Sequence, residues 1–119
     1  MDIFELFKIS TICIGQKEPG EMKRKRMISI ICKELDITPE QMFTWGRKRE
    51  WVLARYIFMY LLCAMRIGTL YIIGDYAKCE GREAFNHGTV LHAVKTINDR
   101  RDTDKVFRAV LERIEMQVK

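Results

Sequence analysis

Two prolines and seven glycines in 119 residues leave little room for linkers or low-complexity tracts. The longest uncharged apolar run of the interior, Tyr56 to Met65, has ten residues and ends at Arg66. That is about half of what a bilayer crossing needs. Ile9 to Gly15 is also apolar, but Asp2 and Glu5 stand where a signal peptide would carry positive charge. The sequence is therefore read as cytoplasmic, with no export and no membrane span. Cysteines stand at 13, 32, 63 and 79 without a CxxC pair. The simplest reading is reduced thiols, with Cys32 and Cys63 buried as small apolar residues. His87 and His92 are five apart, which on a helix turns them ~140° from each other, so they do not share a metal as an i, i+4 pair can. Gly15 to Gly20 satisfies half of a phosphate-loop pattern, but Glu21-Met22 follow where lysine and a hydroxyl residue are required. No base, nucleophile or metal constellation converges, so we expect no enzyme, no cofactor, no metal and no small-molecule substrate.

What is present is a single compact unit. Hydrophobic residues make up 48% and charged residues 31%, the balance of a folded domain. The net charge of +5 favours polyanionic partners without naming one. It is unevenly spread: residues 1–20 carry −1, residues 21–55 carry +4 and residues 56–119 carry +2. The middle third holds Lys23-Arg24-Lys25-Arg26 and Arg47-Lys48-Arg49, with Arg55 a little over two helical turns further on. Taken alone, such clusters read as solvated helix termini.

Residues 1–15 mix helical spacing at Ile3, Leu6 and Phe7 with strand-like alternation at Ile12 and Ile14, and both readings stay open. Gln16 to Gly20 reads as a turn. A helix from Glu21 to about Leu35 follows, with Met22, Met27, Ile30, Ile31 and Leu35 as its stripe. Its basic run would lie on the first turns, where the helix dipole disfavours positive charge. Thr38-Pro39-Glu40-Gln41 is a helix start with a capping box, leading to a short helix through about Thr44. A long helix from about 48 to 66 buries Trp51, Ala54, Phe58, Leu61, Leu62 and Met65, and its broad apolar surface places it in the middle of a bundle. A short helix from Thr69 to about Tyr76 precedes a polar loop, Ala77 to Ala84. Asn86 caps the next helix, with Val90, Leu91, Val94 and Ile97 inward and His87, Gly88, His92 and Lys95 toward the open side. Asp102 to Asp104 caps a last helix with Val106, Phe107, Val110, Leu111 and Ile114 inward. The expected fold is all-α: a compact bundle of about six helices, with residues 1–20 as an extension of unassigned structure and 21–119 as the domain.

A short helix and a second helix opening with small polar residues and histidine have the layout of a helix-turn-helix. In such a module the N-terminal residues of the second helix meet base edges in the major groove. Several segments in register sharpen this: Leu35-Asp36-Ile37-Thr38-Pro39-Glu40-Gln41-Met42, Arg47-Lys48-Arg49-Glu50, Ala54-Arg55-Tyr56-Ile57-Phe58-Met59-Tyr60-Leu61, Ile73-Gly74-Asp75, and Asn86-His87-Gly88-Thr89-Val90-Leu91-His92-Ala93. Together they resemble the C-terminal DNA-binding domain of the bacterial replication initiator DnaA, over about residues 27 to 100. The most specific part is the family's approximate signature G-R-D-H-T-T-V-L-H-A, of which His87 and Thr89-Val90-Leu91-His92-Ala93 are kept.

The resemblance implies a TrpR-like helix-turn-helix that binds double-stranded DNA at DnaA-box-like sites. It implies that Arg47 enters the minor groove, and that Asn86, His87 and Gly88 meet bases in the major groove. Lys48, Arg55, Leu70, Thr89 and His92 fall on positions at or near backbone phosphates, although His92 on its own could equally cap or pack. Two departures stand in the reading triplet. Asn86 replaces an acidic residue that accepts from cytosine, and an amide can instead bond adenine bidentately. Gly88 replaces a threonine and so loses a methyl and a hydroxyl. The turn is longer than the family's: either Gly81-Arg82 resembles the family's Gly-Arg and Glu83-Ala84-Phe85 intervene before Asn86, or the insertion lies within Lys78 to Glu83, and a longer turn either shifts the reading helix or places Arg82 on the adjacent backbone. The family's ATPase module does not fit within 119 residues beside this domain, so the expectation is a DNA reader without its motor, serving replication initiation or transcription, with a fragment of a longer initiator as the alternative. The rival reading is a protein-interaction module of the same fold that docks onto replication proteins through the apolar residues of 1–15.

Overall fold

The computed structural model describes residues 17–46 and 48–118, with residues 17–20 described as backbone only. Six α-helices are present among them: α1 (Lys17–Leu35), α2 (Pro39–Met42), α3 (Arg49–Ala64), α4 (Leu70–Tyr76), α5 (His87–Thr103) and α6 (Lys105–Val118). The all-α expectation holds, and no strand occurs among the described residues. Residues 1–15, for which both readings stay open, lie outside them, as does Gln16 of the expected turn.

Helix α3 is the centre of the fold. Ala54, Ile57, Phe58, Met59, Tyr60, Leu61 and Leu62 are all buried, so its middle turns are covered nearly all round, as expected of a helix running through a bundle. Helix α5 lies along it, α1 covers another side, and α6 closes the bundle against α1 and α5. Met27 and Ile31 of α1, Val90, Ala93 and Ile97 of α5, and Phe107, Leu111 and Ile114 of α6 complete the core.

Local signals set the helix limits. Thr38 and Gln41 form a reciprocal capping box, with Thr38 N donating to Gln41 Oε1 (3.0 Å) and Gln41 N donating to Thr38 Oγ1 (3.1 Å). Thr69 accepts from the Ile72 amide and Asn86 from the Thr89 amide. The last helix is capped by Asp104, which accepts from the Phe107 amide (3.1 Å), while Asp102 and Thr103 complete α5. Helices α1 and α3 both end in a left-handed residue, Asp36 (φ 59°) and Arg66 (φ 57°). In each case the next amide reaches back five residues, Ile37 to Cys32 and Ile67 to Leu62, closing carbonyls that the helix ends leave open. The long helix therefore stops at Ala64, two residues short of expectation.

Several expectations are corrected. Helix α1 begins at Lys17, so Lys17–Gly20 belong to it; Pro19 is compatible because the first turn uses no backbone amide there. The basic run consequently sits beyond the first turn, and three of its members are engaged, Lys25 by the Glu21 carboxylate (3.8 Å). Arg24 stacks over the Tyr76 ring (3.9 Å) and Arg26 donates to the Val118 carbonyl (2.8 Å). Met22, Leu91 (51% exposed) and Val106 (76% exposed) were expected inward and face out. Val90, Ala93 and Ile97 carry the α5 core, which leaves Leu91 at the open edge of the stripe. Of the thiols expected to be buried, Cys32 is and Cys63 is only half-buried, whereas Cys79 is buried in the long turn.

Burial, and secondarily the Glu40 carboxylate, push the Cys32 thiol up to about 11. Burial also raises Cys63, and it raises Tyr60 against the opposing pull of Arg101. An acid whose folded pKa is raised stays neutral in the fold while the unfolded chain already ionises. Stability is thus intact below pH ~9 and falls between ~9 and ~11. The urea midpoint should drop across that window, and Cys32→Ala should flatten the drop; a pH-independent midpoint for the parent protein contradicts the assignment.

Candidate nucleic-acid interface

The helix-turn-helix is formed by α4, a ten-residue turn (77–86) and α5. Its geometry depends on one close approach. Gly74, in the middle of α4, is buried, and its carbonyl accepts from the Phe85 amide (3.2 Å). A Cβ at Gly74 would overlap the Phe85 carbonyl group. Only glycine lets the segment that leads into α5 lie directly on α4.

Asn86 follows at once as the N-cap of α5. Its Oδ1 accepts from the Thr89 amide (2.8 Å), and its carbonyl accepts from Val90. This leaves the amides of His87 and Gly88 without intrahelical acceptors at the positive end of the helix dipole. Asn86, His87 and Gly88 are all exposed, whereas Thr89 is half-buried. The expected reading triplet is thus presented together at one helix end. His92, one turn further on, is exposed, and its ring stands edge-on to Tyr56 (6.0 Å, 90°). Packing and presentation coincide in it. Leu70 is half-buried in the first turn of α4.

The basic segment behaves differently. Arg47 lies outside the described residues. Lys48 is exposed at the start of α3, with its ammonium 5.8 Å from the Trp51 ring. Arg55, expected on a backbone phosphate, is 4% exposed. Its Nη1 donates to the carbonyls of Met42 (2.6 Å) and Thr44 (3.1 Å), and its Nη2 to that of Gly46 (3.3 Å). The guanidinium is consumed by the loop after α2 and is turned away from any external anion. Arg55 is therefore a positioning residue: it fastens the segment 42–46 from which Arg47 and Lys48 continue.

The long turn is fastened to the same segment. The Glu80 amide donates to the Phe43 carbonyl (2.9 Å), Cys79 is buried beneath, and the Arg82 guanidinium lies 4.1 Å from the centre of the Trp45 ring. Sequence reasoning passed over Trp45. Its place between a capping-box helix and a Gly-Arg-Lys-Arg run was the available signal.

A family profile described as the bacterial DnaA protein helix-turn-helix matches residues 25–97. The chain belongs to the bacterial DnaA helix-turn-helix family. Similar full-length proteins include the chromosomal replication initiator protein DnaA of Bacteroides fragilis (strain YCH46), 38% identical over 93 residues, covering 78% of this chain and 18% of that protein. The DnaA of Bacteroides thetaiotaomicron is 36% identical over 93 residues, covering 78% and 19%. That of Gloeobacter violaceus is 29% identical over 106 residues, covering 89% and 23%. The chain spans about a fifth of the length of these curated DnaA relatives. The family match bears out the DnaA resemblance, and the six helices agree with the all-α domain it implies.

Two substitutions test the supporting contacts. Arg55→Met strands three carbonyls and should cost about 2–4 kcal/mol in urea denaturation, with faster hydrogen exchange at residues 43–46. Unaltered exchange there would show that the loop holds itself. Gly74→Ala should destabilise the fold by about 1–3 kcal/mol through overpacking and shift the amide resonances of 85–89. Wild-type stability and spectra would refute the close approach.

Proposed function

We propose that this chain is a sequence-selective double-stranded DNA-binding protein that reads a DnaA-box-like site through its helix-turn-helix, in replication initiation or transcription. The observation that carries this reading is the joint exposure of Asn86, His87 and Gly88 at the amide end of a helix whose N-cap is intact. Such an end suits the major groove: the free amides of His87 and Gly88 favour phosphate, and the side chains meet base edges. Thr89, His92 and the amide of Leu70 then serve the flanking phosphates. Lys48 serves the strand beside the minor groove, into which Arg47 inserts. Arg55 has no part in the contact itself; its role is to hold the loop at the right height. The reading concerns DNA binding alone and assigns the chain no ATP-driven step.

Asn86 carries the altered specificity. Its Oδ1 keeps a lone pair beside the capping bond, and its Nδ2 donates, which is the pattern that adenine N6 and N7 require. Asp is an equally good N-cap, so Asn86→Asp should leave stability unchanged and move the preferred base toward cytosine in a selection from random duplexes. An unchanged preference would remove residue 86 from the reading set.

Binding should weaken steeply with salt. With about two or three phosphates neutralised by Lys48 and the neighbouring arginines, the log–log slope is roughly −2 to −3. His87→Ala should lose ~1–3 kcal/mol of discrimination between the selected and a scrambled duplex. Lys48→Gln should lower the slope by about one without changing the preferred sequence. No binding to any duplex, or binding indifferent to salt, overturns the proposal.

A further inference from the structure

We propose that Arg82, laid on Trp45, is a phosphate clamp on the DNA strand that runs between the two grooves, an inference that rests on the DNA-binding reading above. A protein that places one element in the major groove and another in the adjacent minor groove must straddle the sugar–phosphate strand between them. Here the first element is the N-terminus of α5 and the second is the segment continuing from Gly46. A surface cleft of about 420 Å³ lies between them, lined by Trp45, Gly81, Arg82, Glu83 and Phe85. Phe85 immediately precedes Asn86, and Trp45 is two residues from Arg47. The cleft is thus flanked on both sides by the proposed reading segments.

The contacts that fasten the long turn to the segment 42–46 also place Arg82. The turn is tied down by buried Cys79 and by the Glu80 to Phe43 hydrogen bond, and Gly81 reverses the chain at φ 73°. Arg82 N donates to the Cys79 carbonyl (3.0 Å), and its guanidinium settles 4.1 Å from the Trp45 ring centre, with Trp45 56% exposed. Stacking uses the face of a guanidinium and leaves the N–H groups on its edge available for two parallel bonds to phosphate. A supported arginine also has less rotamer freedom to lose than a free one. Glu83, the carboxylate of the same lining, has the wrong sign for phosphate and confines the contact to Arg82.

The test uses the full chain and a duplex chosen by selection. Arg82→Gln should weaken binding about tenfold at physiological salt, reduce the salt slope by about one and leave the ranking of duplex sequences unchanged. Trp45→Leu should weaken binding in the same direction, and it serves as the second variant should Arg82→Gln lose its helical circular dichroism. Neutral methylphosphonate linkages, introduced one at a time, should reveal one position that weakens the parent protein as much as Arg82→Gln does and has no further effect on that variant. Parent-like affinity and slope for Arg82→Gln, or strictly additive losses at every phosphate, would falsify the clamp. If the parent binds no duplex, the DNA reading fails with it. If His87→Ala loses selectivity while Arg82→Gln is silent, the clamp alone fails.

Discussion

A buried guanidinium organises this domain. Arg55 sits in the central helix among apolar neighbours, where an uncompensated charge would be prohibitively costly. The chain compensates by folding the loop after α2 around it and presenting three carbonyls. One of those carbonyls, Met42, ends the four-residue helix α2, and the other two lie in the loop that follows. Each side satisfies the other, and the segment leading to the basic cluster is held by the core itself.

The same economy governs the other half of the interface. Gly74 removes a side chain so that Phe85 can lie on α4, and this contact delivers Asn86 to its capping position. The long turn then crosses to the Arg55-held segment through Glu80 and Phe43, and through Arg82 and Trp45. The reading helix and the basic loop are consequently one mechanical unit. Preorganisation of this kind lowers the ordering cost of binding a rigid duplex.

Much of this was legible in the residues. Thr38 with Gln41, Thr69 and Asn86 announce their helices because capping is local chemistry between a side chain and amides two or three residues away. The apolar sweep from Ala54 to Leu62 announces a central helix for a similar reason: its composition leaves no polar face. Leu91 and Val106 misled because periodicity gives a stripe without saying which edge of it the neighbouring helix covers. Arg55 misled because a motif position and a charge are equally compatible with an external phosphate and with internal carbonyls; burial alone separates them. The start of α1 was missed because Pro19-Gly20 signals a turn in isolation, whereas a first helical turn tolerates both residues.

The sequence by itself determined the helical elements, their caps, the family and the residues offered at the start of α5, since these depend on contacts within a few positions or on a pattern in register. Tertiary structure decided which cation faces inward and which faces out. Arg55 and Arg82 are the same side chain on two sides of the segment 42–46; one is buried and locked on its carbonyls, while the other is exposed and rests on an exposed indole. The difference is one of burial, which exists only after α3 has been covered by its neighbours.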